Sequence, residues 1–496
     1  MAKGRTAVFS TVALWPVHHA ETLELVHRAV AEGDEVTLVS CEGDLFACAA
    51  NRDHKEVLCR ICRTQTERTH RRLVPPEVAR ARLDLARFHQ PGLADAIHDR
   101  ASLLAFTYAG VPIGSYALSQ LANEAKDYLV SVEAGPSLDR ARQLAINACA
   151  LYDSVVAFTR DNGITRGYVW NGRRACDGPI FHALKDAGAH AETFITGGFP
   201  NSIFTSPYRT IHEGMAALHG WEEPAGLEER AALEREGLEY LEAYRTNRLK
   251  VRDFRPFGDS AETVEPDWPL PHDGRQRCLV LMSTVTEVMG MDGTWEFHAD
   301  APYSWLEELA QERRFVERYA VVVKWHPNQA SVGPNEQRHI NETIAATSVF
   351  HHLGPSDRSH DAYALAKGAE LVLMTGSTVG VWAAANGQLV VSIGPHANQL
   401  SFQALTSFSN VASFVAALDH LGGHRNPVGA ALMAAAGGRR GTSMHFAETT
   451  AEGKETIFTT STESSVTRKP VRGLWIALLW WKYKANKRLH RFVSRW

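Results

Sequence analysis

Apolar residues follow two rhythms that alternate along the chain. Short unbroken runs such as "TAVFSTVALW" near the start, "RCLVLMSTVTEV" from Arg277, "YAVVVKWHP" from Tyr319 and "ELVLM" from Glu370 read as strands buried on both faces. Between them lie stretches with helical spacing. In "HAETLELVHRAVAEGDEVTLVSC" the residues Leu23, Val26 and Val30 share one helical face, and a Gly-Asp turn leads into the next strand. This strand–helix–strand opening implies parallel strands.

The rhythm resumes in "GYVWNGRRACDGPIFHALKDAGAHAETFIT", and again from "RCLVLM" through "APYSWLEELAQERRF", "HDAYALAKGA" and "MTGSTVGVWAAANGQLVVSIG". The expected fold class is therefore α/β: two Rossmann-like lobes with a helical insert in the first and a basic amphipathic carboxyl-terminal helix. The pattern divides the chain into a first lobe (1–255), a Pro-, Asp- and Gly-rich linker (256–275) and a second lobe (276–421). A Gly-, Ala- and Ser/Thr-rich flexible connector (422–467) and a basic helix (468–496) follow. Residues 222–250 read as a charged surface helix of the first lobe.

Composition narrows the class. At 496 residues the chain can build two or three cores. Its 45% hydrophobic and 22% charged residues are those of a soluble protein. A net charge of −4 excludes nucleic acid as a partner by bulk electrostatics. No signal peptide or spanning segment is read, so a cytoplasmic location is expected.

Four of the seven cysteines fall in one window, "CEGDLFACAANRDHKEVLCRIC". Cys41, Cys48, Cys59 and Cys62 could supply four thiolates to a structural zinc, since a C-x-x-C pair can present two to one tetrahedral ion. They could equally be reduced thiols packing a small loop, or an iron–sulfur or redox group.

Two motifs sit where a buried strand ends, the edge at which open α/β sheets bind ligands. "VVVKWHP" delivers Lys324 and His326 there, and Pro327 stops the strand. "MTGSTVGVWAAANG" delivers Gly376, Ser377 and Thr378 just before a helix. Glycine admits close approach of a ligand, and a helix start offers N–H groups to a phosphate. Ser377 and Thr378 could also do no more than cap the helix.

"VVVKWHP" followed by "DAYALAKGAELVLMTGSTVGVWAA" resembles the bacterial capsule polysaccharide biosynthesis family and its GT-B-type relatives, the Kdo-, sialyl- and polysialyltransferases. "CEG" with its following cysteines, and "VWNGRRA", resemble the amino-terminal lobes of such proteins. The similarity touches most of residues 5–400, and only the His-Pro and Gly-Ser-Thr motifs are sharp.

The resemblance implies a glycosyltransferase for cell-surface polysaccharide, with His326, Ser377 and Thr378 on the phosphate of a nucleotide-activated sugar, a CMP-linked one among the candidates. The acceptor would be a polysaccharide or glycolipid. Many relatives carry a glutamate where this chain has Trp382. A CDP-alcohol-dependent polyol-phosphate transferase and a non-catalytic assembly protein are the alternatives.

A transferase also needs a base for the acceptor hydroxyl. The first lobe's strand ends offer His18, His19 and Glu21, then Glu42 and Asp44 in "CEGD", a partial match to an acidic-acidic-Gly motif with Cys41 in the first place. His18 and His19 could instead be packing residues. Asn171 and Arg173 follow the strand "GYVW"; Arg173 could hold an anionic acceptor or pair with Asp177.

The last 29 residues carry nine Lys or Arg and no acid. Their apolar stripe and tryptophans suit a helix lying in an anionic membrane surface, and the nine-residue run "GLWIALLWW" is too short to span. The alternative is a helix packed back on the first lobe.

Overall fold

The computed structural model describes residues 4–11, 13–210, 213, 226–246, 248, 268–285, 289, 302–394, 405–423, 425–446, 448–452, 455–459 and 465–468. The first lobe opens with β1 (Arg5–Ser10), α1 (Pro16–Ala31), β2 (Glu35–Ser40), α2 (Glu56–Leu73) and β3 (Ala79–Ala81). The helical insert follows as α3 (Arg100–Ala105), α4 (Ile113–Ala125) and α5 (Gly135–Asp161). The lobe continues with β4 (Arg166–Trp170), α6 (Gly178–Asp186), β5 (His190–Thr196) and β6 (Ser202–Ser206).

Next come α7 (Leu227–Arg245), β7 (Gln276–Leu281), α8 (Ser304–Gln311), α9 (Arg313–Arg318) and β8 (Tyr319–Lys324). The second lobe goes on through α10 (Pro334–Ala346), β9 (His351–Leu353), α11 (Ala362–Gly368), β10 (Leu371–Met374) and α12 (Thr378–Ala385). It ends with β11 (Val390–Ile393), β12 (Thr406–Phe408), α13 (Val411–Ala416) and α14 (Pro427–Gly438).

The first sheet runs β13-β6-β5-β4-β1-β2-β3, with β13 (Thr442–Ser443) antiparallel on its edge. The second runs β12-β11-β10-β7-β8-β9, and all its pairings are parallel. In each sheet the chain reverses direction once, at β1/β4 and at β7/β10, and these are the topological switch points.

Burial on both faces explains the apolar runs. On β8, Val321 and Val323 enter one core cluster while Val322 enters the cluster on the opposite face. Leu371 and Leu373 of β10 alternate with Val372 and Met374 in the same way. Each such valine or leucine is worth roughly 1.5–3 kcal/mol of burial.

Two expectations are corrected. Residues 427–438, read as flexible connector, form α14, whose Ala430, Ala431 and Ala434 are buried in the second lobe. Alanines lack polar side chains, and their small size lets a helix pack closely. The charged helix α7 packs on α14 in that lobe through Leu233, Gly237 and Leu241. A Cβ on Gly237 would lie 1.8 Å from the Ala431 carbonyl oxygen, so only glycine permits this crossing.

The chain then returns to the first lobe. Arg28 donates to Thr442 and Ser443, and the buried Glu24 accepts from the backbone N–H groups of His445 and Phe446. A three-stranded antiparallel sheet, β14 (Glu448–Glu452), β15 (Glu455–Thr459) and β16 (Ser465–Arg468), lies against α1 and α2. The basic tail beyond Arg468 lies outside the described residues. Among the described residues no helix is long and apolar enough to cross a membrane.

Candidate functional site

Three loops meet at the switch point of the second sheet. Ser283, just past β7, donates from its hydroxyl to the carbonyl of Gly376, just past β10. Gln329, past β8, donates to the Ser283 carbonyl at 3.5 Å. The loop after β8 is itself a capping box: His326 N–H donates to Gln329 Oε1 at 2.8 Å, and His326 Nδ1 accepts from Asn328 N–H at 3.2 Å.

That acceptance fixes the ring. In the neutral imidazole Nδ1 accepts, so Nε2 carries the proton. Burial pushes the His326 pKa down, which favours this neutral form. His326 thus carries its N–H on Nε2.

Ser377 stands at the N-cap of α12 with extended backbone, and its hydroxyl makes no capping bond. Thr378 is exposed on the first turn. The two glycines differ. A Cβ on Gly380 would meet Met374 Sδ at 2.2 Å, so Gly380 is a packing residue, whereas a Cβ on Gly376 would meet nothing within 4 Å. Gly376 therefore borders open space.

Lys324 does not offer the free positive charge expected of it. It is buried, and its ammonium donates to Asp357 Oδ1 at 2.9 Å and to the Asp357 carbonyl at 3.1 Å. His360 Nδ1 lies 3.1 Å from the other oxygen of that carboxylate. Burial alone would raise the Asp357 carboxyl, but the bonds from Lys324 and His360 outweigh it and hold it well below the usual carboxylate range. Trp382, in the relatives' glutamate position, packs edge-on against Tyr363 at 5.2 Å.

The switch point of the first sheet is aromatic. His18 lies 4.7 Å from the Trp170 ring and 5.8 Å from Trp15, and the Arg174 guanidinium sits 5.1 Å and 5.4 Å from those two indoles. His18 Nδ1 is 2.9 Å from Glu21 Oε2, and the Thr196 hydroxyl donates to Glu21 Oε1 at 2.5 Å. The carboxylate is 1% exposed. A carboxylate accepts, so it takes the hydrogen bond from Nδ1–H and fixes the orientation of the ring.

The other first-lobe candidates part company with His18. His19 is 0% exposed and stacks on His70 at 5.5 Å, so it cannot reach a substrate. Consecutive residues of a helix point about 100° apart, which is why only one of the pair faces the switch point. Glu42 and Asp44 are exposed on the loop after β2 and border a surface pocket with Thr11, Cys41 and Leu151. Asn171 adopts left-handed backbone at φ 58°, and Arg173 is buried beside it. Asp177, which burial pushes up to about 7, takes its hydrogen bond from Arg174 N–H at 2.6 Å.

The cysteines do share a wall. Cys41, Cys48, Cys59 and Cys62 line one pocket with Ser10, Thr11 and Asn51. They do not make the expected zinc site: among the described residues no three His, Cys, Asp or Glu side chains converge as ligands. Three of the sulfurs have local partners instead. Gly43 N–H reaches Cys41 at 3.4 Å, Asn51 reaches Cys59 at 3.2 Å, and Cys62 lies 4.0 Å from the Thr66 hydroxyl. Burial pushes Cys41 up and Cys48 up to about 12, which keeps both as thiols.

No family model and no curated protein matches the chain. Solved structures resemble it distantly. KpsC of Thermosulfurimonas dismutans, a beta Kdo 2,4 transferase, is 12% identical over 55% of this chain and 79% of its own, with a TM-score of 0.34. An alpha,alpha-trehalose 6-phosphate synthase from Burkholderia multivorans is 11% identical over 88% and 95%, at 0.33. The UDP-GlcNAc 2-epimerase of Neisseria meningitidis, bound to UDP-GlcNAc, is 10% identical over 88% and 97%, at 0.26. TM-scores this low leave the reading of this chain to its own residues.

Proposed function

We propose that this chain is a GT-B-type glycosyltransferase that moves a sugar from a nucleotide-activated donor to a surface polysaccharide or glycolipid acceptor. The observation that carries the reading is the second switch point, where the loop of neutral His326 is tied through Gln329 and Ser283 to open Gly376, which precedes the uncapped Ser377 at the start of α12. Hydrogen-bond donors so arranged suit the phosphate of a leaving nucleotide. The His18–Glu21 pair at the first switch point supplies the base.

In the reaction the acceptor hydroxyl gives its proton to His18 Nε2 as its oxygen bonds to the anomeric carbon. The bond from that carbon to the phosphate oxygen breaks, and the electron pair leaves with the nucleotide. Glu21 steadies the imidazolium through Nδ1–H, and His326 and Ser377 donate to the phosphate oxygens. Incubating the full chain with labelled nucleotide sugars and a cell-envelope extract tests this. Label in saccharide with release of nucleotide is expected; polyol-phosphate transfer, or binding without turnover, would replace the reading.

Residues 468–496 are proposed to dock on an anionic membrane. β16 ends at Arg468 beside α2, whose Arg68, Arg71 and Arg72 are exposed, so the basic tail starts next to a basic helix face. Each basic residue near such a surface adds on the order of 1 kcal/mol. A chain stopped at Ser465 should lose co-sedimentation with anionic vesicles at low salt, and equal binding by both chains would end this proposal.

A further inference from the structure

α10 is a thirteen-residue helix whose own N-cap, Gly333, has no side chain to offer. The missing cap comes from the other lobe. Asp127, between α4 and α5, accepts from Asn335 N–H and Glu336 N–H, both at 3.0 Å, and also from Leu129 N–H at 3.0 Å. Glu336, the third residue of α10, returns the bond by accepting from Tyr128 N–H at 2.9 Å. This is a capping box assembled from two lobes. Gly333 N–H also donates to the Lys126 carbonyl at 2.6 Å, and a Cβ on Gly333 would lie 2.5 Å from Asp127 Cβ, so glycine is required for the approach.

The box does not end there. Tyr303 Oη donates to Glu336 Oε1 at 3.1 Å and accepts from Gln329 Nε2 at 2.9 Å, and Gln329 Oε1 receives His326 N–H at 2.8 Å. Asp127, Glu336, Tyr303 and Gln329 are each at most 2% exposed. Buried polar chains of this kind are costly to leave half made, so breaking one link disturbs the next. The chain thus runs from a first-lobe turn to the backbone of the His-Pro loop.

We propose that Glu336, Tyr303 and Gln329 are positioning residues that set the His326 loop according to whether the two lobes are docked at Asp127. Docking completes the box, fixes the Glu336 carboxylate, and through Tyr303 holds the Gln329 amide against His326. Undocking leaves the loop without that constraint. The consequence for the donor, that phosphate binding is coupled to lobe docking, rests on the reading of His326 as a phosphate contact.

Hydrogen exchange of the full chain, measured without nucleotide, tests the positioning claim alone. Tyr303→Phe keeps the ring and removes only the hydroxyl linking Glu336 to Gln329. Exchange in residues 326–331 should rise at least tenfold while residues 333–337 keep their protection. Asp127→Ala should raise exchange in both segments and leave β10 and β11 unchanged, and Asp127→Asn, which keeps one acceptor, should fall between it and the parent. Unchanged exchange at 326–331 in Tyr303→Phe would overturn the proposal and reduce the box to a simple tie between lobes. UDP and CMP titrations of the same variants then report separately. Loss of affinity in Tyr303→Phe extends the coupling to the donor; no nucleotide binding by the parent would refute the donor reading and leave the exchange result to decide the rest.

Discussion

The two switch points occupy equivalent places in their sheets and are built from different materials. At β7/β10 the groups on offer are a histidine N–H, a hydroxyl, a glycine and a helix start, carried on two short contiguous motifs. At β1/β4 they are Trp15, His18, Glu21, Trp170, Arg174 and Thr196, gathered from segments that span 182 positions of the chain. A phosphate asks for donors of fixed direction, which backbone and short side chains provide locally. An acceptor hydroxyl asks for an oriented base and a sugar-sized platform, and only long-range packing can assemble those. The lobes meet at Asp127 and α10.

If the division of labour holds, the largest effect belongs to the base. His18→Ala should lower turnover by roughly 100- to 10,000-fold, the usual weight of a general base, with nucleotide binding retained. Turnover within threefold of the parent would remove His18 from the chemistry. Next comes the donor side: His326→Ala, or Ser377→Ala with Thr378→Ala, should weaken nucleotide binding by about 10- to 100-fold, as one or two hydrogen bonds to a charged ligand would. Calorimetric titration reads this, and early melting without specific loss of affinity would make the motif structural.

The glycine pair sharpens the contrast within one lobe. Gly380→Ala forces a Cβ onto Met374 Sδ and should cost about 1–3 kcal/mol in denaturant unfolding. Gly376→Ala meets no protein atom, so it should leave stability nearly unchanged and reduce nucleotide affinity. The reverse outcome would move the ligand away from Gly376.

The smallest effect is one of pH. The folded pKa of Asp357 is depressed, so its ion pair with Lys324 contributes stability that is present above the unfolded value of 3.8 and lost as pH falls through the folded one. Acid unfolding below about pH 4 should therefore be shallower in Asp357→Asn than in the parent. Parallel curves would mean that the pair contributes nothing.

Much of the second lobe could be read from sequence because its information is local. Strand runs, Pro327 and the Gly-Ser-Thr turn each announce themselves within a few residues. Gln329 was readable too, since it stands three residues after His326 as a capping-box partner should. The cap that Asp127 lends to α10 was not, because the residues it joins are 209 positions apart. Lys324 reads as a free charge for the same reason: its neutralising carboxylate, Asp357, lies beyond the next helix. The cysteine window shows the limit of spacing, which brought four sulfurs to one cavity wall without making a ligand set. Alanine-rich α14 reads as connector because low complexity hides a helix that packs on α7.

The central claim is that donor binding and acceptor activation are housed in separate lobes. Side-by-side nucleotide calorimetry and transfer assays on His326→Ala and His18→Ala test it most directly. The account predicts that His326→Ala loses nucleotide binding, while His18→Ala binds nucleotide like the parent and fails to transfer. Equal loss of nucleotide binding in both, or transfer undiminished in His18→Ala, would contradict it.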